Sequence, residues 1–262
     1  MLESILRRDR NIVAVALIVL TALAWTYLLH LNAAMSASET VAMPGMTMGP
    51  ALQPFAPSEL GYAVVMWAVM MAGMMTPSAA PMILLYARVG RQARAQGAVF
   101  AATGWFAAGY LAAWSLFAIV AALAQAGLMK IALITPAMVI NSNLIAGALL
   151  LVAGIWQYLP LKDTCLAQCQ APLAFLQRVG GFRRSPLAAF GQGAKHGSYC
   201  IGCCWALMLL LFVGGVMNLL WVAALSIFIL LEKLVPKGKL ITLGAGLVAI
   251  AAGIILLGKG LI

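Results

Sequence analysis

The sequence predicts an all-α membrane protein, a polytopic bundle of about seven transmembrane helices with a cytoplasmic N-terminus. Three observations carry that prediction. Of the 262 residues, 65% are hydrophobic and only 8% are charged, where a soluble domain has roughly 25% charged residues. The apolar residues gather in runs of ~20, enough to cross a ~30 Å hydrocarbon core. The 16 basic residues lie in short clusters between those runs, as topology signals do at an anionic membrane face. The formal charge of +10 is therefore read as orientation, and nucleic-acid binding is not expected. A single transmembrane domain over residues 1–262 is the expected organisation.

The chain opens on a charged amphipathic stretch, MLESILRRDR, followed by an apolar run from Ile12 to about Leu31. A secretory signal would carry a shorter apolar region of ~7–15 residues, so a retained first span is expected. Residues 32–60 then form a Met/Pro-rich extracytoplasmic loop, where Met43, Met46 and Met48 follow His30. Thioethers stay neutral and capture Cu(I) in an oxidising compartment where free thiols do not survive. A low-complexity loop with no metal role is the alternative.

The second span, about Gly61 to Tyr86, carries Met66, Met70 and Met74 at i, i+4 spacing, with Met71 and Met75 in an adjacent row. Such rows are either a ladder of soft ligands or adaptable core filler. Pro77 and Pro81 are expected to break the helix near mid-membrane, which survives only against protein or a cavity. The third span runs from about Ala98 to Gln125, with Gly97, Ala101, Gly104, Ala108 and Ala112 as a packing seam of small residues. Lys130 falls in a short connection to the fourth span, about Ala137 to Leu159, where Asn141, Ser142 and Asn143 are expected to bond between helices.

Residues 161–197 form the cytoplasmic Cys-containing loop, with Cys165 and Cys169 one helical turn apart and two interfacial amphipathic pieces near residues 173–179 and 187–190. The apolar run from Tyr199 to Leu231 is interrupted by Gly214, Gly215 and Asn218. Read as a hairpin of two spans, it leaves every basic residue except Lys130 and Lys259 on the inner side, which a single helix would not. The last span covers about Leu240 to Leu257.

The sharpest chemical signal is Lys195 to Met208, KHGSYCIGCCWALM. On a helix, His196, Cys200, Cys204 and Met208 form one stripe, with Cys203 beside it. Imidazole, thiol and thioether together are a soft-metal ligand set. The alternative is that cysteine merely packs as a small hydrophobe. Five cysteines, an odd number, argue against a closed disulfide framework. The six acidic residues sit in loops or at span ends, which disfavours sites for Mg or Mn and intramembrane proton relays. Two histidines at opposite faces disfavour bis-histidine haem. The predicted topology places the methionine loop outside and the cysteines at the cytoplasmic face. Weak neutral ligands thus lead to strong thiolates, a gradient suited to drawing a monovalent soft cation inward. Cu(I) is the favoured metal, with zinc second.

The segments MWAVMMAGMMTPSAAPM and YCIGCCWALMLLLFVGGVMNLLW, ending near Glu232 and Lys233, and the Cys165-Leu-Ala-Gln-Cys169 string before Pro172 resemble a bacterial family of metal-binding integral membrane proteins. The resemblance covers roughly residues 60–235. It implies metal binding through Cys165, Cys169, Cys200, Cys203 and Cys204, without an established reaction. The primary expectation is a copper-binding protein of the bacterial inner membrane. It would move Cu(I) inward, or hold it for delivery to a metallochaperone, through Met66, Met70, Met71, Met74, Met75 and the cysteines. The alternative is a non-catalytic accessory or assembly subunit of a membrane oxidoreductase complex with a structural Cys/His zinc site. Beyond the lipid bilayer, the partners expected are such subunits or a metallochaperone. A stand-alone enzyme is the weakest class, because only His196 could serve as acid or base near the cysteines.

Overall fold

The computed structural model describes residues 2–41, 57–97, 101–135, 138–181, 185–235 and 238–261. Among these the architecture is all-helical: α1 (Leu2–Val41), α2 (Pro57–Ala95), α3 (Thr103–Lys130), α4 (Asn143–Trp156), α5 (Pro160–Gln170), α6 (Pro172–Arg178), α7 (Pro186–Gly214), α8 (Leu219–Leu234) and α9 (Gly238–Leu261). The starts follow from local chemistry. Proline occupies the first turn of α5, α6 and α7, where its missing N–H costs nothing. The side chains of Ser142, Ser185 and Asn218 cap α4, α7 and α8 by accepting from Ile145 N, Ala188 N and Trp221 N.

Five helices are long and apolar enough to cross a membrane, or six if the pair α4–α5, bent by 66°, counts as one span. The expected count was seven. The hairpin after Tyr199 does form, because Gly215 adopts φ +95° and ends α7. However, α7 reaches back to Pro186 and takes 29 residues, which leaves α8 only 16. The supposed loop 161–197 is mostly helix, made of α5, α6 and the first turns of α7. Likewise α1 continues to Val41, so part of the methionine loop is helical. Met43, Met46 and Met48 lie outside the described residues.

Two further expectations are corrected. The helix α2 runs unbroken through Pro77 and Pro81. Hydroxyl groups crowd the turn that enters Pro77: Thr76 Oγ1 donates to Ala72 O at 2.6 Å and Ser78 Oγ to Met75 O at 2.9 Å. Asn141 and Ser142 do not bond between helices. Asn141 Nδ2 donates to Ala132 O of its own connection at 2.9 Å, and Ser142 is the α4 cap.

The core lies between α2, α3, α7 and α8, with α5 and α6 against its cysteine side. The tightest seam joins α3 to α7. A Cβ on Gly109 would lie 2.0 Å from Phe190 O, and one on Gly193 would lie 1.9 Å from Phe106 O. Main chain therefore rests on main chain. The predicted seam was misplaced around the helix: Gly104, Ala108 and Ala112 are exposed, and nothing lies within 4 Å of a Cβ on Gly104.

Candidate metal centre

The cysteine segment does not open α7 at a boundary. Because α7 starts at Pro186, Cys200 falls midway along it. All three of its cysteines are buried. Cys203 Sγ and Cys204 Sγ both donate to Cys200 O, at 3.0 and 2.9 Å, which turns their sulfurs to one side of the helix. The helix α5 brings the second pair. Cys169 lies on α5, which packs against α7 where Cys200 and Cys203 stand. Cys165 Sγ lies 2.9 Å from where a Cβ on Gly202 would stand, so the bare glycine makes room for that sulfur. Two distant segments thus carry their cysteines to the same contact between α5 and α7. Among the described residues, no three His, Cys, Asp or Glu side chains already surround a common point as a metal cage would.

The polar environment of Cys200 is the main finding that sequence reasoning missed. Lys233 Nζ of α8 donates to Cys200 Sγ at 2.9 Å and to Ser78 Oγ of α2 at 2.9 Å. Tyr110 OH of α3 lies 3.2 Å from Cys200 Sγ and donates to Met75 O at 3.0 Å. Ser226 Oγ of α8 donates to Met74 O at 3.3 Å. Side chains of α3 and α8 therefore tie the methionine helix to the cysteine helix through one sulfur. Lys233 is only 6% exposed, and a buried ammonium requires an opposing charge. The neighbouring carboxylate does not supply it. Glu232 is paired with Lys162 of α5 at 2.7 Å, and Lys162 also donates to Gln157 Oε1. Of the two groups that Lys233 Nζ bonds, the one able to carry negative charge is the Cys200 sulfur. The signal available in the sequence was Glu232-Lys233 directly continuing an apolar helix with no turn residue between.

The Lys162–Glu232 pair was also unexpected, since both residues were placed in loops or at span ends. It is fully enclosed, and Gln170 Nε2 adds a bond to Glu232 O at 2.8 Å. Together these bonds hold α5, and hence Cys165 and Cys169, against α8.

The other predicted site residues sort as follows. Met66, Met70, Met71, Met74 and Met75 are all buried in the core, as is Met208. His196 is buried one turn before Cys200, boxed by the rings of Phe175, Tyr110 and Phe106 at centroid distances of 5.0, 5.8 and 6.0 Å. Its Nδ1 meets no hydrogen-bonding group of the protein, an unusual state for a buried nitrogen and one that leaves it available as a ligand. His30 is exposed on α1.

Buried thiols, thioethers and an imidazole with an unpartnered Nδ1, enclosed by apolar helices, are donors of the kind that suits a soft metal ion. The comparison with protein families makes this specific. The family model of PpoB2, a copper chaperone, matches residues 64–256, and the chain belongs to that copper chaperone family. The matched region includes the methionine rows, all five cysteines and Lys233. No curated protein and no solved structure matches the chain.

Proposed function

We propose that the protein is an inner-membrane copper chaperone that binds Cu(I) at the cysteines of α5 and α7. It receives the ion along the buried methionines of α2 and holds it for delivery on the cytoplasmic side. The observation that carries this reading is the placement of Lys233 and Tyr110 on Cys200. A Cu(I) ion held by two thiolates bears net negative charge, and Lys233 is the buried cation beside it. The thioethers of Met70, Met71, Met74 and Met75 are neutral and fully enclosed, so they can bind the same ion weakly enough to pass it on. With its paired sulfurs and no closed cage of four donors, the centre suits a soft monovalent ion better than a tetrahedral structural zinc.

X-ray absorption at the copper edge tests the reading directly. The full chain loaded with Cu(I) should show a first shell dominated by sulfur. A shell dominated by oxygen or nitrogen would overturn it. The substitution Lys233→Leu removes the charge while keeping an apolar side chain that adds no soft donor. Copper retention against a chromogenic Cu(I) chelator should then weaken by about 10–100-fold, the usual effect of losing a group that supports a ligand. Unchanged retention would show that Lys233 does not balance the centre.

A further inference from the structure

A second cluster of soft donors stands at the other end of α3. Gln125 is 2% exposed, and its Oε1 accepts from Trp67 Nε1 at 2.6 Å. An indole N–H only donates, so Trp67 fixes which way the carboxamide faces. The Nε2 group is thereby turned onto two thioethers, Met129 Sδ at 3.9 Å and Met138 Sδ at 3.7 Å. A buried amide donor is thus left with two weak acceptors.

The backbone that presents Met138 is strained. Met138 has φ +57°, a region that costs a residue bearing a side chain about 1–3 kcal/mol and persists only where the surroundings impose it. The surroundings are visible. Met138 N donates to Thr135 O at 2.8 Å, Val216 N donates to Met138 O at 3.3 Å, and Ile140 N donates to Phe212 O at 2.9 Å. The connection between α3 and α4 is therefore fastened onto the α7–α8 turn, with the Met138 side chain aimed at Gln125. Both thioether residues are half-buried, in contrast to the enclosed methionines of α2.

We infer that Met129 and Met138, oriented by Gln125, form a separate outer site for a soft monovalent cation, Cu(I) or Ag(I). This deepens the proposed function by assigning where the cargo is first taken up. Along α3 the site lies about 28 Å from Tyr110 and the cysteine centre, at ~1.5 Å per residue. Binding there displaces only the amide N–H groups from the sulfurs. It requires no thiol deprotonation and releases no proton, unlike binding to cysteine. Trp67 directly follows Met66 in α2, so the site adjoins the start of the methionine rows.

The test uses the full chain in detergent with its methionine methyl groups labelled with carbon-13, titrated with Ag(I). The methyl resonances of Met129 and Met138, assigned through M129L and M138L, should shift once the cysteines are filled. They should shift at fewer equivalents of Ag(I) in the variant carrying C200S, C203S and C204S. The double variant M129L/M138L should bind about one Ag(I) fewer per chain. If both resonances stay still while the cysteines still take up metal, this site is refuted and the cysteine centre stands. If both shift while cysteine substitution leaves total uptake unchanged, the outer site stands and the cysteine centre fails.

Discussion

Replacing Cys200, Cys203 and Cys204 together by serine is expected to abolish copper retention at the centre, at some cost in stability because Lys233 loses the sulfur that opposes its charge. Serine suits the local structure. The thiols of Cys203 and Cys204 already donate to Cys200 O, and a serine hydroxyl makes the same bond to the preceding turn. The hard hydroxyl oxygen, however, has little affinity for Cu(I). Elemental analysis after dialysis against a mild Cu(I) chelator should show the wild type retaining copper and the variant losing essentially all of it. Thermal unfolding in detergent reports whether the variant is intact. A folded variant that keeps its copper would remove the cysteine centre from the proposed function.

Gly193→Ala should be among the most damaging single substitutions in the chain. The added methyl group would stand 1.9 Å from Phe106 O, and a main-chain carbonyl cannot rotate away as a side chain can. The helices α3 and α7 must separate, at a cost of about 3 kcal/mol or more. The displacement also draws Tyr110 away from Cys200, so copper retention should fall with stability. Gly104→Ala is the control on the same pair of helices. Its Cβ meets nothing within 4 Å, and alanine in the first turn of α3 should leave stability within about 0.5 kcal/mol of the wild type. Unfolding temperatures in detergent compare the two, and equal stability of both variants would contradict the packing described.

Much of this molecule could be read from residue pattern. Apolar run length announced the helices, and the Gly214–Asn218 interruption announced the α7–α8 turn. The spacing of Cys165 and Cys169 marked a helix that does meet Cys200 and Cys203. What escaped were the interactions between helices that no local pattern encodes. Lys233 and Lys162 were counted as loop charges because basic residues at the ends of apolar runs normally face water. Here each has a buried partner, Cys200 for one and Glu232 for the other. The α3 seam was misassigned because small residues recur on two faces of that helix. Only the facing glycine on α7 decides between them, and it lies 84 positions further along the chain from Gly109. Met138 was passed over because its importance rests on a backbone angle that sequence does not display.

The shortness of α8 has a consequence for the surrounding lipid. Its 16 residues extend about 24 Å at ~1.5 Å per residue, against a hydrocarbon layer of ~30 Å. Neither end is free to shift. Val216 and Met217 are buried at one end, and Glu232 and Lys233 are anchored at the other. The outward residues between them, Leu220, Ile227 and Leu231, are exposed and present a greasy band narrower than the acyl layer. By itself α8 is too short to count among the candidate spans, and were it to cross a bilayer the lipids along this flank would have to compress to match it. Acyl-chain length would then act as a mechanical load on the helix that supplies Lys233 to the sulfur.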